Sequence, residues 1–194
     1  MIIFARAISF LLSPIIVLFP ALYLLINKAS ADSMYALEWT IISYFFIFSV
    51  AIFVLICVYF GIFSNFDVSK REQRPLFFLF AGLVTFLYLV FLIVFNGPKI
   101  LLILISAAIL GIIAIDLINT RIKASVHVAT VSAFIFSLGL IYKGPYLLLL
   151  FLIPIMGWSR VKTKKHTPLE ATIGGVLGGV LTIVIYIASK RFLV

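Results

Sequence analysis

The sequence predicts an all-α, polytopic bundle of transmembrane helices, and three observations carry that prediction. Of its 194 residues, 65% are hydrophobic and only 11% are charged, more apolar surface than a soluble domain can bury. The apolar residues gather into runs long enough to cross ~30 Å of hydrocarbon at ~1.5 Å per residue. The formal net charge of +9, from 15 basic and 6 acidic residues, sits almost entirely between those runs. Such short basic connections suit anionic headgroups and phosphates. They leave no continuous basic surface for nucleic acid, which is excluded as a partner. The single cysteine, Cys57, lies inside an apolar run, so no disulfide framework or thiolate metal site is expected.

Seven runs follow in order. The first, 7–27, contains Pro14 and Pro20 and reads as a transmembrane helix, not a cleaved signal, because further spans follow at once. The next four are 39–63, 76–95, 99–118 and 126–142. The sixth, 145–158, is short, lying between Lys143-Gly144-Pro145 and Trp158-Ser159-Arg160. It either crosses a locally thin region or enters and returns within protein, so six or seven spans are predicted in one transmembrane domain covering 1–194. The seventh, 168–189, carries Gly174-Gly175 and Gly178-Gly179, a doubled small-xxx-small pattern that means close helix packing. Trp39 and Trp158 stand where aromatic interface anchors are expected.

The connections alternate in character. Asn27 to Glu38, Asn96 to Lys99 and Lys143 to Pro145 are brief, whereas the polar loops near 64–75, 119–127 and 159–170 hold most of the chemistry. If all seven runs span, those three loops follow the second, fourth and sixth and share one compartment. Arg6, Lys70, Arg71, Arg74, Arg121, Lys123, Arg160, Lys162, Lys164 and Lys165 fall on that face, against Lys28, Lys99, Lys143, Lys190 and Arg191 opposite. The positive-inside rule places the polar loops in the cytoplasm.

The chain has two histidines, His127 and His166, each at the start of an apolar run on the shared face. Ser125 is placed to cap the run that holds His127. Thr167-Pro168-Leu169-Glu170 has the form of a capping box with proline at the first helical position. Both features are structural in their simplest meaning. Yet a helix N-terminus also presents free N–H groups and a positive dipole end to a phosphate. Arg160 and Arg74 add planar guanidinium forks that grip phosphate oxygens in pairs, with Lys70 among the cations supplying longer-range attraction. With an anion so held, one imidazole attacks phosphorus, the second protonates the departing oxygen, and a carboxylate on the attacker's far nitrogen fixes its tautomer. His166, His127, Arg160 and Glu170 meet that requirement, and His166 and Glu170 stand four residues apart.

Ser159 to Glu170, SRVKTKKHTPLE, resembles the third signature of the type 2 phosphatidic acid phosphatase (PAP2) superfamily, S-R-x-x-x-x-x-H-x-x-x-D, with Glu170 in place of aspartate. Ala124-Ser125-Val126-His127 resembles the second signature, P-S-G-H, keeping serine and histidine. Lys70 to Pro75 resembles the first, K-x-x-x-x-x-x-R-P, keeping Arg74-Pro75 while Asp67 stands at the family lysine. The resemblance runs over roughly residues 65 to 190. It implies a PAP2-like helical fold in which His166 is the phosphorylated nucleophile, His127 the general acid and Glu170 the orienting carboxylate. Arg74, Ser125, Ser159 and Arg160 would hold the phosphate, and no metal or other cofactor is implied.

The function expected is a membrane-embedded phosphatase for a lipid-linked phosphate or diphosphate, of the isoprenoid diphosphate, phosphatidic acid or phosphatidylglycerol phosphate class. Its partners would be that substrate and the surrounding membrane lipids. Asp67, Ala124 and Val126 motivate the alternative, a catalytically silent relative that binds anionic lipid or serves as a scaffold. Asp116, an acid near the end of the fourth run, motivates a third reading, a small transporter.

Overall fold

Prolines and capping residues set the helix ends in the computed structural model, which describes residues 1–142 and 144–193 and has no strand among them. Lys143, together with the side chains of Lys190 and Arg191, lies outside the described residues, so their assignment to the opposite face is not addressed. The first apolar run is two helices, α1 (Ile2–Leu11) and α2 (Pro14–Ser30). Pro14 has no N–H, so the Ser13 N–H takes the Phe10 carbonyl at 3.0 Å and proline opens a new helix.

Helix α3 (Ser33–Tyr59) begins before the predicted residue 39, because the Asp32 carboxylate accepts from the N–H groups of Met34 and Tyr35 at 2.9 and 3.0 Å. A 3-10 turn, Arg71–Gln73, leads into α4 (Arg74–Val94), and α5 (Lys99–Asn119) follows after a turn in which the Gly97 N–H returns to the Leu92 carbonyl at 2.7 Å. Helix α6 (Val126–Tyr142) matches its predicted run.

The short sixth run proves longer and of mixed winding, with a 3-10 segment Gly144–Phe151 and then α7 (Leu152–Lys162). Pro154 lacks the donor that would continue an α-helix from upstream and is tolerated only in a first turn, which fits a helix restarting at Leu152. At ~2.0 Å rise in the 3-10 part and ~1.5 Å in the α part, the pair covers roughly 30 Å. Helix α8 (Pro168–Leu193) closes the chain.

Among the described residues, five stretches are long and apolar enough to cross a membrane: Ile2–Ser30, Ser33–Tyr59, Arg71–Val94, Lys99–Asn119 and Pro168–Ser189. Helix α6 is apolar but shorter.

The helices cluster into two compact units. One comprises Met1–Leu25 and Ile122–Val194, the other Ile26–Arg121. In the first, α6 and α8 run parallel. A Cβ placed on Gly174 would meet the Ser125 carbonyl at 2.5 Å, one on Gly178 would strike the Ala129 carbonyl, and the Thr182 hydroxyl reaches the Ala133 carbonyl at 3.4 Å. The Ser132 hydroxyl donates to the Gly175 carbonyl at 2.7 Å. The core of this unit is Val17, Val128, Val131, Ile135, Met156 and Ala171.

In the second unit, α3 and α4 pack through stacked Phe53 and Phe80, 3.8 Å between centroids, and a 2.6 Å hydrogen bond joins Ser43 to the Tyr88 hydroxyl. Trp39, expected as an interface anchor, is buried in α3 edge-on to Phe91 and close to Gly97. Trp158 in the first unit is partly exposed against Phe4.

Candidate active site

The segment with the densest polar chemistry starts where α7 ends. Thr163 caps the helix with its N–H on the Ser159 carbonyl, the Lys164 N–H returns to the Val161 carbonyl, and the Lys165 N–H returns to the Arg160 carbonyl, each at 3.0 Å. These are the paired bonds of a Schellman motif, whose left-handed residue is usually glycine. Here it is Lys164, with φ 57°. The reversal brings the His166 N–H to the Arg160 carbonyl at 3.3 Å and delivers His166 to the start of α8.

There the predicted capping box forms in both directions. The Thr167 N–H donates to Glu170 Oε2 at 3.1 Å, and the Glu170 N–H donates to Thr167 Oγ1 at 3.3 Å. The same Oε2 lies 3.1 Å from His166 Nδ1, and the Lys123 carbonyl lies 3.1 Å from that nitrogen too. A carbonyl accepts only, and a carboxylate already holding a backbone N–H is suited to accept again. Nδ1 therefore carries the hydrogen, and a neutral ring keeps its lone pair on Nε2. The ring is 2% exposed, against 18% for the glutamate side chain.

The loop before α6 is bound to this turn. The Ser125 N–H donates to the Glu170 carbonyl at 3.1 Å, and Lys123 Nζ donates to the Lys165 carbonyl at 2.9 Å. The starts of α6 and α8 thus lie side by side in one unit, with His127 half-buried in the first turn of α6. Residues 123–127 and 159–170 meet here, bringing together Ser125, His166, Glu170 and the backbone of Arg160.

Two serines expected to hold phosphate are engaged elsewhere. Ser125 is fully buried, its hydroxyl facing the Val128 N–H at 3.5 Å as a cap and its backbone lying under Gly174. Ser159 is fully buried and donates to the Ala5 carbonyl of α1 at 2.6 Å. Arg160 is 3% exposed and donates from Nη1 to Ser9 Oγ at 2.7 Å. Helix α1 therefore holds both leading residues of the third signature.

Arg74 and Lys70 belong to the second unit. Arg74 is 4% exposed, donating from Nε to the Val68 carbonyl at 3.2 Å and from Nη1 to Asn119 Oδ1 at 3.4 Å. Lys70 is exposed and precedes the 3-10 turn Arg71–Gln73. Asp116 lines a shallow hollow in this unit with Arg71, Glu72, Pro75, Asn119 and Thr120.

Sequence reasoning missed Lys123 as a partner of His166. The contact is made by its main-chain carbonyl, which any residue type supplies, so no sequence pattern pointed to it. Comparison with protein-family models, curated proteins and solved structures gives no match for this chain.

Proposed function

We propose that this chain is a multi-pass membrane phosphatase that hydrolyses a lipid-linked phosphate or diphosphate through a phosphohistidine at His166. One observation carries the reading: His166 Nδ1 faces the Glu170 carboxylate and the Lys123 carbonyl, each at 3.1 Å. That pairing points the lone pair of Nε2 away from its supports and lets the carboxylate stabilise the positive charge that grows on the ring as it attacks.

In the proposed first step Nε2 forms a bond to phosphorus while the bond to the leaving oxygen breaks, and His127 gives that oxygen its proton. In the second, His127 takes a proton from water as that water attacks the phosphohistidine, the phosphorus–nitrogen bond breaks, inorganic phosphate leaves and both histidines return to their starting states. Arg160 carries a permanent charge at the turn that presents His166. The PAP2-like resemblance of residues 159 to 170 adds to this reading.

Seven crossings follow if α1 with α2, α3, α4, α5, α6, the segment 144–162, and α8 each span. Parallel α6 and α8 support this, because the chain between them must return to the end from which α6 started. The roughly 30 Å reach of 144–162 is enough to make that return. The polar loops then lie in the cytoplasm by the positive-inside rule.

The silent-relative alternative is favoured by the hydroxyls of Ser125 and Ser159, which are buried and committed to the α6 cap and to α1. Phosphate release from polyprenyl diphosphate, phosphatidic acid and phosphatidylglycerol phosphate, by detergent-purified protein with EDTA present, separates the two. Release that disappears in His166→Ala is the expected result. No release from any substrate, with anionic lipid still bound, would establish the silent binder.

A further inference from the structure

Lys123 touches the turn that carries His166 twice, by two chemically separate groups. Its carbonyl accepts from His166 Nδ1 at 3.1 Å, and its ammonium donates to the carbonyl of Lys165, the residue immediately before the histidine, at 2.9 Å. The two bonds join residues 42 and 43 positions apart, so they tie the loop ahead of α6 to the loop ahead of α8. Ala124 is fully buried beside Lys123, and the Ser125 N–H bonds the Glu170 carbonyl, which restrains that loop further.

We infer that Lys123 is a positioning residue for His166, acting in parallel with Glu170 so that the Nδ1–H tautomer has two independent anchors. Either acceptor alone is enough to hold the hydrogen on Nδ1. The ammonium keeps the carbonyl in place, because the bond from Nζ to Lys165 fixes the spacing between the two loops. A backbone carbonyl does not protonate or rotate away as a carboxylate does. The arrangement therefore makes the longer glutamate tolerable where an acid alone would have to orient the ring. The catalytic consequence rests on the phosphatase reading, whereas the orientation of the ring does not.

The test uses the full chain in detergent or bicelles with 15N-labelled histidine. Two histidines give a simple spectrum, assigned with His127→Gln. In Glu170→Ala, which leaves no side-chain acceptor at that position, the His166 signals are expected to keep the Nδ1–H pattern of the native protein. In Glu170→Ala combined with Lys123→Met, a mixture with the Nε2–H tautomer should appear, and Lys123→Arg in place of Lys123→Met should restore the single form. If Glu170→Ala alone produces the mixture, or the double variant keeps a pure Nδ1–H ring, the second anchor does not exist.

The rates read the catalytic side. Adding Lys123→Met to Glu170→Ala should lower kcat at least about tenfold, the lower end of what partners orienting a metal-bound histidine carry, with KM within about twofold. An equal kcat for the single and double variants would sink the catalytic role. Native protein that releases no phosphate would refute the phosphatase reading, and the tautomer spectra would still decide the positioning.

Discussion

At the scale of single residues, Glu170 has two duties that can be separated. Its carboxylate accepts from the His166 ring and from the Thr167 N–H, while its own N–H is received by the Thr167 hydroxyl. Thr167→Ala removes only that last acceptor. It should cost about 1 kcal/mol of stability, the usual worth of a cap, read by denaturant unfolding of the detergent-solubilised protein, with phosphate release within about twofold of native. Glu170→Gln keeps the shape but should lower kcat under the proposed mechanism, because the amide cannot match a carboxylate beside a ring that is becoming positive. Equal losses of turnover in the two variants would mean that the capping box itself is what activity depends on. The His166 and Glu170 pair was legible in the sequence because its spacing is local and a helix start dictates where residues three and four positions apart meet. Ser159 was legible only as a residue. Its hydroxyl points to the Ala5 carbonyl, a direction set by α1, some 150 positions away, and no local pattern encodes it.

At the scale of elements, two joints carry the site. The first is the end of α7, where Lys164 occupies the left-handed position of a Schellman motif at φ 57°. A side chain there costs about 1 kcal/mol relative to glycine. Lys164→Gly is therefore expected to raise stability by about that amount, and unchanged or lowered unfolding free energy would show that the lysine side chain offsets the strain. The second joint is the parallel contact of α6 and α8. The glycine pattern predicted close packing, and the structure supplies the partner: Gly174 rides on the backbone of Ser125, and Gly178 on that of Ala129. A methyl at either glycine must push one helix off the other, since the obstructing atoms are main chain. Gly174→Ala should cost at least about 1–3 kcal/mol, as overpacking does, and should lower kcat because α8 carries Glu170. Gly82→Ala, whose new methyl would find only Ile112 at 3.9 Å, is the control and should be close to neutral. The break at Pro14 and the winding of 144–162 were less legible, because hydropathy reports that a segment is apolar but not how it is wound. Both are marked by prolines, at 14, 145 and 154, where the backbone lacks the donor that would continue a helix.

At the scale of the whole molecule, the burial of two arginines changes what the charge pattern means. Arg74 and Arg160 are 4% and 3% exposed and hydrogen-bonded inside their own units, so neither is among the cations that the polar loops expose. Orientation must then come from the remaining cations. Among them Lys70, Arg121, Lys162 and Lys164 are exposed in the polar loops, and the proposed cytoplasmic placement of those loops rests on such cations. The proposed seven crossings turn this into a test based on chain order alone. Cys57, the single cysteine, is buried, and replacing it by alanine leaves a background without thiols. Single cysteines introduced at the exposed positions Lys70 and Lys164 should then react with an impermeant maleimide only after the cytoplasmic face is opened. Cysteines at Ser33 and Asn96, exposed in the alternate connections, should react from outside intact cells. If position 164 labels from outside while position 70 does not, the segment 144–162 fails to cross, and the span count falls to six. If all four labels reverse, the seven crossings stand, and the cations of the polar loops serve the substrate more than the orientation.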